Sequence, residues 1–155
     1  MTPLTPTEYA ELFTCAHRLT IDPNHLAGII MLESSWDPKA HNKTTGARGL
    51  IQFTDPAAKD LGFRHAEELL RFYPDRISQL KDPIPTLIRK HNPFFLKQPG
   101  KSLQQLAMCI FYPAYRLADP DTPFPQAVQD RNPGIHCPKD YMTRVLIKAK
   151  EVKYP

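Results

Sequence analysis

The chain carries 155 residues, 41% of them hydrophobic, with a formal net charge of +4; that length suits a single domain spanning 1–155, whose core buries about two-thirds of the unfolded surface. No run approaches the roughly 20 apolar residues of a membrane span, neither a P-loop nor a dinucleotide fingerprint occurs, and the scattered basic residues fit an anionic polymer or simply a solvated face. Cys15, Cys109 and Cys137 are odd in number and widely separated, which reads as reduced thiols, while 17 prolines against 6 glycines imply many short helices with stiff connections.

Thr5-Pro6-Thr7-Glu8 supplies a cap, a proline at the first helical position and a glutamate three residues after the cap. With Tyr9, Leu12, Phe13 and Ala16 at helical spacing, it predicts a helix over 6–19. Asp22-Pro23 repeats the device, with Ile21 placed to staple onto Leu26, and predicts a second helix ending near Ser34. Leu26, Ile29 and Ile30 mark an apolar face on that helix, and Glu33 continues it. Burying an unpaired carboxylate is costly, so a carboxyl on such a face tends to hold its proton near neutral pH. That is the property a general acid needs. Ser34, Ser35 and Pro38 stop the helix and put Glu33 at the mouth of a polar loop, in which Gly46 and Gly49 flank Ala47-Arg48. Any β-structure is expected there, as at most a small hairpin near residues 39–50.

Asp55-Pro56 starts a short helix closed by Gly62, and residues 65–72 read as another, stopped by Tyr73-Pro74. Asp82-Pro83 with Ile84, Leu87 and Ile88 predicts a helix ending near His91-Asn92-Pro93. Ser102 is placed to cap a longer helix carrying Leu103, Leu106, Ala107, Ile110 and Phe111 on one face, the expected centre of the core, which stops or kinks at Tyr112-Pro113. Residues 117–125 form a stiff proline- and aspartate-rich loop, and 139–152 close the chain as a basic amphipathic helix. The fold class is mainly α. His41, His91 and His136 have no metal-ligand spacing with the cysteines, so neither a metal nor a cofactor is expected.

Glu33-Ser34-Ser35-Trp36-Asp37-Pro38-Lys39-Ala40, followed by Gly46-Ala47-Arg48-Gly49-Leu50-Ile51-Gln52-Phe53, resembles the two-part signature of the soluble lytic transglycosylases. These are lysozyme-like enzymes, related to the goose-type lysozymes, that cleave bacterial peptidoglycan. The resemblance covers about residues 20–62 and, more loosely, 105–147. It implies a lysozyme-like fold with Glu33 as catalytic acid/base, Ser34 supporting it and the sugar, and Gln52 lining the sugar cleft. Tyr112 corresponds to the tyrosine of the family's A-Y-N-A-G motif, with Pro113 in place of its asparagine, and implies a neighbour of Glu33. Tyr141 corresponds to the tyrosine of E-T-R-x-Y-V, whose acidic residue is absent here, with Asp140 next door to substitute; it joins Ser34, Gln52 and Tyr112 as a substrate-binding candidate.

A glycosidase usually employs two carboxylates. The sequence offers no obvious second one, since Asp37 reads as structural near Pro38. The resemblance implies single-acid chemistry instead: Glu33 protonates the glycosidic oxygen, the acetamido group assists, and the carboxylate then takes the proton of the 6-hydroxyl, giving a 1,6-anhydro sugar. Three other readings remain open: a hydrolytic muramidase, a decayed wall-binding or phage-tail module, and Glu33 as a structural partner of Arg48. The expected partner is the peptidoglycan glycan strand, with no nucleic acid, no membrane span and a monomeric chain. Trp36 reads as a packing anchor. The opening MTPLTPTEYAELF lacks the features of a secretory signal, so arrival at the wall by phage or secretion-machine delivery, or loss of a leader, is expected.

Overall fold

Each of the first two helices starts where its capping chemistry places it. In the computed structural model, which describes residues 1–92 and 101–155 and gives Lys101 and Ser102 by backbone alone, α1 runs Pro6–Leu19 and α2 runs Pro23–Ser34. The Thr5 hydroxyl accepts from Glu8 N–H at 3.2 Å and the Glu8 carboxylate accepts from Thr5 N–H at 2.8 Å. Asp22 accepts from Asn24 N–H at 2.8 Å in the same manner. Then follow α3 (Asp55–Asp60), α4 (Ala66–Phe72), α5 (Arg76–Lys81), α6 (Pro83–His91), α7 (Lys101–Phe111), a 3₁₀ turn at Pro113–Tyr115, α8 (Gln126–Arg131) and α9 (Pro138–Ala149). The chain is mainly α. Among the described residues there is no strand: the expected hairpin region contributes only isolated bridges, His41 to Arg48 and Arg48 to Phe53.

Two helices were not legible from periodicity. α5 and α8 are six residues each, too short for a 3.6-residue pattern to show. α5 nonetheless has a complete capping box, with the Asp75 carboxylate accepting from Ser78 N–H at 2.7 Å and Ser78 Oγ accepting from Asp75 N–H at 3.2 Å. The expected Ser102 cap and the Pro93 stop lie outside the described side chains and residues.

Two helices share the centre of the core. In α7, the expected centre, Leu103 to Cys109 are buried without a break, and so are Leu26 to Met31 of α2. A helix that is apolar all round must be surrounded, and α2 packs against α1, α7 and, most extensively, α9. The last of these contacts depends on Gly28. A Cβ there would stand 2.6 Å from the Val145 carbonyl oxygen and 3.0 Å from Ala149 Cβ, so α9 lies directly on the α2 backbone. This close approach sets where the side chains of α9 meet the end of α2.

Alanine at Gly28 gains about 1 kcal/mol of helix propensity, whereas forcing a methyl group against a fixed carbonyl costs roughly 1–3 kcal/mol. Gly28→Ala is therefore expected to lower stability by about 1 kcal/mol in urea unfolding. A variant as stable as the parent would show that α9 yields at this contact.

Candidate active site

α2 ends abruptly because Ser35 (φ 52°) and Trp36 (φ 64°) both take left-handed backbone. Consecutive non-glycine residues in that region are costly, and burial of Trp36 offsets the cost. Its indole is fully inside, and Nε1–H donates to Ala27 O at 3.2 Å. The packing-anchor reading of Trp36 holds. The turn leaves Glu33 on the last turn of α2, facing a polar pocket of about 300 Å³ lined by Glu33, Ser34, Ala40, His41, Asn42 and Gln52.

Across this pocket stand Ala40 to Asn42 and, from the 46–53 loop, Gln52; side chains rather than a sheet hold that loop. The Ser34 hydroxyl reaches Ile30 O at 3.0 Å and Leu50 O at 2.9 Å, its single proton shared between the end of α2 and the loop. Leu50 N–H donates to Gln79 Oε1 at 2.9 Å, while Gln79 Nε2 donates to Pro38 O and Tyr73 O, each at 2.9 Å. A fully buried amide with satisfied donors and acceptor is a rigid strut, and this one ties both flanks of the loop to α5. Gly49 is required for two reasons: its φ is +82°, and a Cβ would meet Gln79 Oε1 at 2.8 Å. Gln52 also has a left-handed backbone, φ 57°, with its Nε2 donating to Gly49 O at 3.1 Å. Arg76, buried on the same helix, donates to Trp36 O at 2.8 Å and pairs with Glu8 at 3.2 Å.

Glu33 itself receives one hydrogen bond from the described residues. Tyr141 on α9 donates its hydroxyl to Glu33 Oε1 at 2.5 Å. Glu33 as a residue keeps some accessible surface, but its carboxyl is shielded. Burial pushes the carboxyl up to about 7, against the lowering effect of the Tyr141 hydrogen bond. Burial, and then the facing Glu33, hold Tyr141 well above its ordinary value, so it remains a donor. Arg48 forms no ion pair with Glu33 among the described residues, which removes the purely structural pairing considered from sequence.

The structure thus brings Glu33, Ser34 and Gln52 into one pocket. Tyr141 is buried behind the acid, at 1% exposure, and touches the carboxyl rather than the cleft. Tyr112 stands apart, lining an adjoining pocket and packing its ring edge-on against Tyr115 and Phe124. Asp37 accepts from Lys39 N–H at 2.9 Å and Asp140 from His136 N–H at 2.9 Å, so both carboxylates are engaged in local turns. Sequence reasoning missed Gln79 and Arg76, whose only signal was the capping box of their helix. It also missed His41 and Asn42 as pocket residues, where the one hint was their position between the motif halves.

Comparison with known proteins finds a likeness over the part of the chain that carries Glu33, Ser34 and Gln52. The transglycosylase SLT domain matches residues 12–87. A membrane-bound lytic murein transglycosylase F of Aeromonas hydrophila is 33% identical over 84 residues, covering 52% of this chain and 16% of that protein. Its namesake in Shewanella baltica is 36% identical over 84 residues, covering 50% and 17%. The match therefore spans about a sixth of the length of these curated relatives. No solved structure matches the chain.

A carboxyl raised in the folded state from 4.5 to about 7 favours folding less as pH rises through that window. Below it the folded and unfolded chains are both protonated, whereas above it the fold carries the full desolvation penalty. Glu33→Gln removes the titration and leaves an oxygen to accept from Tyr141. Its stability relative to the parent is expected to rise by about 3 kcal/mol between pH 4.5 and pH 8, measured by urea unfolding. A difference independent of pH would contradict the shielding of Glu33.

Proposed function

Since the chain belongs to the transglycosylase SLT domain family, through residues 12–87, we propose that it is a lytic transglycosylase. Its reaction is cleavage of the β-1,4 bond between N-acetylmuramic acid and N-acetylglucosamine in peptidoglycan. The observation that carries this reading is Glu33: a shielded carboxyl with a pKa of about 7 that faces an open polar pocket and is oriented from behind by Tyr141. Such a group is protonated often enough to donate to the glycosidic oxygen and acidic enough to take a proton back, both near neutral pH.

A single acid suffices for the chemistry proposed. Glu33 protonates the leaving oxygen as the C1–O bond breaks, and the acetamido carbonyl of the muramic acid stabilises the anomeric carbon. The Glu33 carboxylate then removes the proton of the 6-hydroxyl as that oxygen bonds to C1. Glu33 ends protonated, as it began, and the product is a 1,6-anhydromuramic acid with no water consumed. Two-carboxylate mechanisms require a partner about 5–10 Å away. The described pocket lining contains no acid besides Glu33, and residues 93–100 include no Asp or Glu. The Tyr141 hydrogen bond strengthens as Glu33 ionises, so it favours the step in which Glu33 gives up its proton.

Digestion of purified cell walls tests this. The parent protein is expected to release muropeptides carrying the anhydro end, and Glu33→Gln to lose at least about a hundredfold in rate. Above pH 7 the rate of the parent should fall about tenfold per pH unit as the acid ionises. Products carrying an added water identify a hydrolase instead, and wall binding without release by the parent identifies a non-catalytic module. Either result overturns the proposal.

A further inference from the structure

Phe72, at the end of α4, is 72% exposed, more than any other large hydrophobic side chain among the described residues. It belongs to a cluster. Phe63 and Tyr73, both half-buried, pack against it at ring-centroid distances of 5.5 and 6.3 Å and against each other at 6.0 Å. The Tyr73 hydroxyl donates to Asp82, which ties the cluster to the start of α6. The two neighbours hold the Phe72 ring in place while most of its surface stays in solvent. Around the rings the charges cancel: Arg64 pairs with Glu68 at 3.2 Å and Arg71 with Glu67 at 3.0 Å. None of the three rings lines the pocket of Glu33. α4 is nonetheless braced on the loop that carries Gln52, since a Cβ at Gly49 would stand 3.1 Å from Leu70 Cδ1.

The size and charge of this surface narrow its ligand. A specific protein interface takes about 800 Å² from each partner, whereas one whole aromatic side chain buries only about 150–250 Å². Charges already compensated within the 64–71 segment offer nothing to attract an anionic lipid surface or a nucleic acid. A flat, uncharged ligand with an apolar face and a polar rim fits what is left. A β-1,4-linked pyranose is such a ligand, because its axial C–H bonds point to the faces of the ring while its hydroxyl and acetamido groups lie around the edge. Resting on the peptidoglycan substrate of the preceding section, we propose that Phe72, supported by Phe63 and Tyr73, stacks on a sugar of the glycan strand at a site separate from the Glu33 pocket. The site holds the protein on the wall between cleavage events and takes no part in breaking the bond.

Binding to purified sacculi, measured with the full chain in the Glu33→Gln background so that the wall stays intact, tests this. Phe72→Ala is expected to weaken binding about fivefold and Phe72→Trp to preserve it. With Glu33 restored, kcat/KM of Phe72→Ala on a soluble chain of four sugars should equal that of the parent, while its rate on sacculi falls. Sacculus binding that is absent in the parent or unchanged by Phe72→Ala would overturn the inference. So would an equal loss with alanine and tryptophan or on both substrates, which would assign Phe72 to the fold or the catalytic cleft, and so would a dimer in sedimentation that Phe72→Ala abolishes, which would assign the surface to a second copy. Phe72-dependent binding by a parent that releases no muropeptides would instead overturn the cleavage reaction and leave this inference standing.

Discussion

The absence of a side chain at Gly28 lets α9 rest on the backbone of α2, with a hypothetical Cβ only 2.6 Å from Val145 O. From that contact the rest of the site follows. α9 runs along α2 and presents Tyr141 at the end of α2, on the Glu33 carboxyl. Phe111 of α7 stacks on the Tyr141 ring at 4.6 Å, which seals the same spot from a third helix. Three packed helices therefore exclude water from one side of a single carboxyl and leave its other side to the pocket. The raised pKa of Glu33 is a consequence of helix packing, moderated by one hydrogen bond.

The opposite wall depends on a different device. A loop with left-handed residues at Gly46, Gly49 and Gln52 would be mobile if it relied on local bonds alone. Here Gln79 and Ser34 engage Leu50 from both of its backbone polar groups, and Arg76 fastens the Trp36 turn to α1 through Glu8. Buried polar groups confer rigidity only when fully satisfied, and Gln79 uses its oxygen and both donor positions on three backbone groups. The strained residues of the site are thus held by struts from α5, a helix outside the catalytic motif.

Much of the site was legible in the sequence wherever the cause was local. The caps at Thr5 and Asp22, the apolar face under Glu33 and the glycine-flanked loop are all statements about neighbours in the chain, and the helices and the loop lie where they indicate. Long-range causes were not legible. Tyr141 stands 108 residues from its partner, so periodicity could place it in a helix but not on Glu33. Gly28 carries no local signal in the sequence, and its requirement appears only when α9 lies across it. α5 escaped notice because six residues are too few to show a period and because Arg76 and Gln79 belong to residue types that are usually solvated. The short α8 escaped for the first of these reasons. The family match ends at residue 87, whereas Tyr141 comes from the chain beyond it.

The central claim is that packing of α9 and α7 against α2 converts Glu33 from an ordinary carboxyl into one that holds its proton near neutrality. The most direct test is a carbon-detected NMR titration of the Glu33 side-chain carboxyl in the folded protein. The account predicts a midpoint of about 7, and a midpoint at the ordinary 4.5 would contradict it.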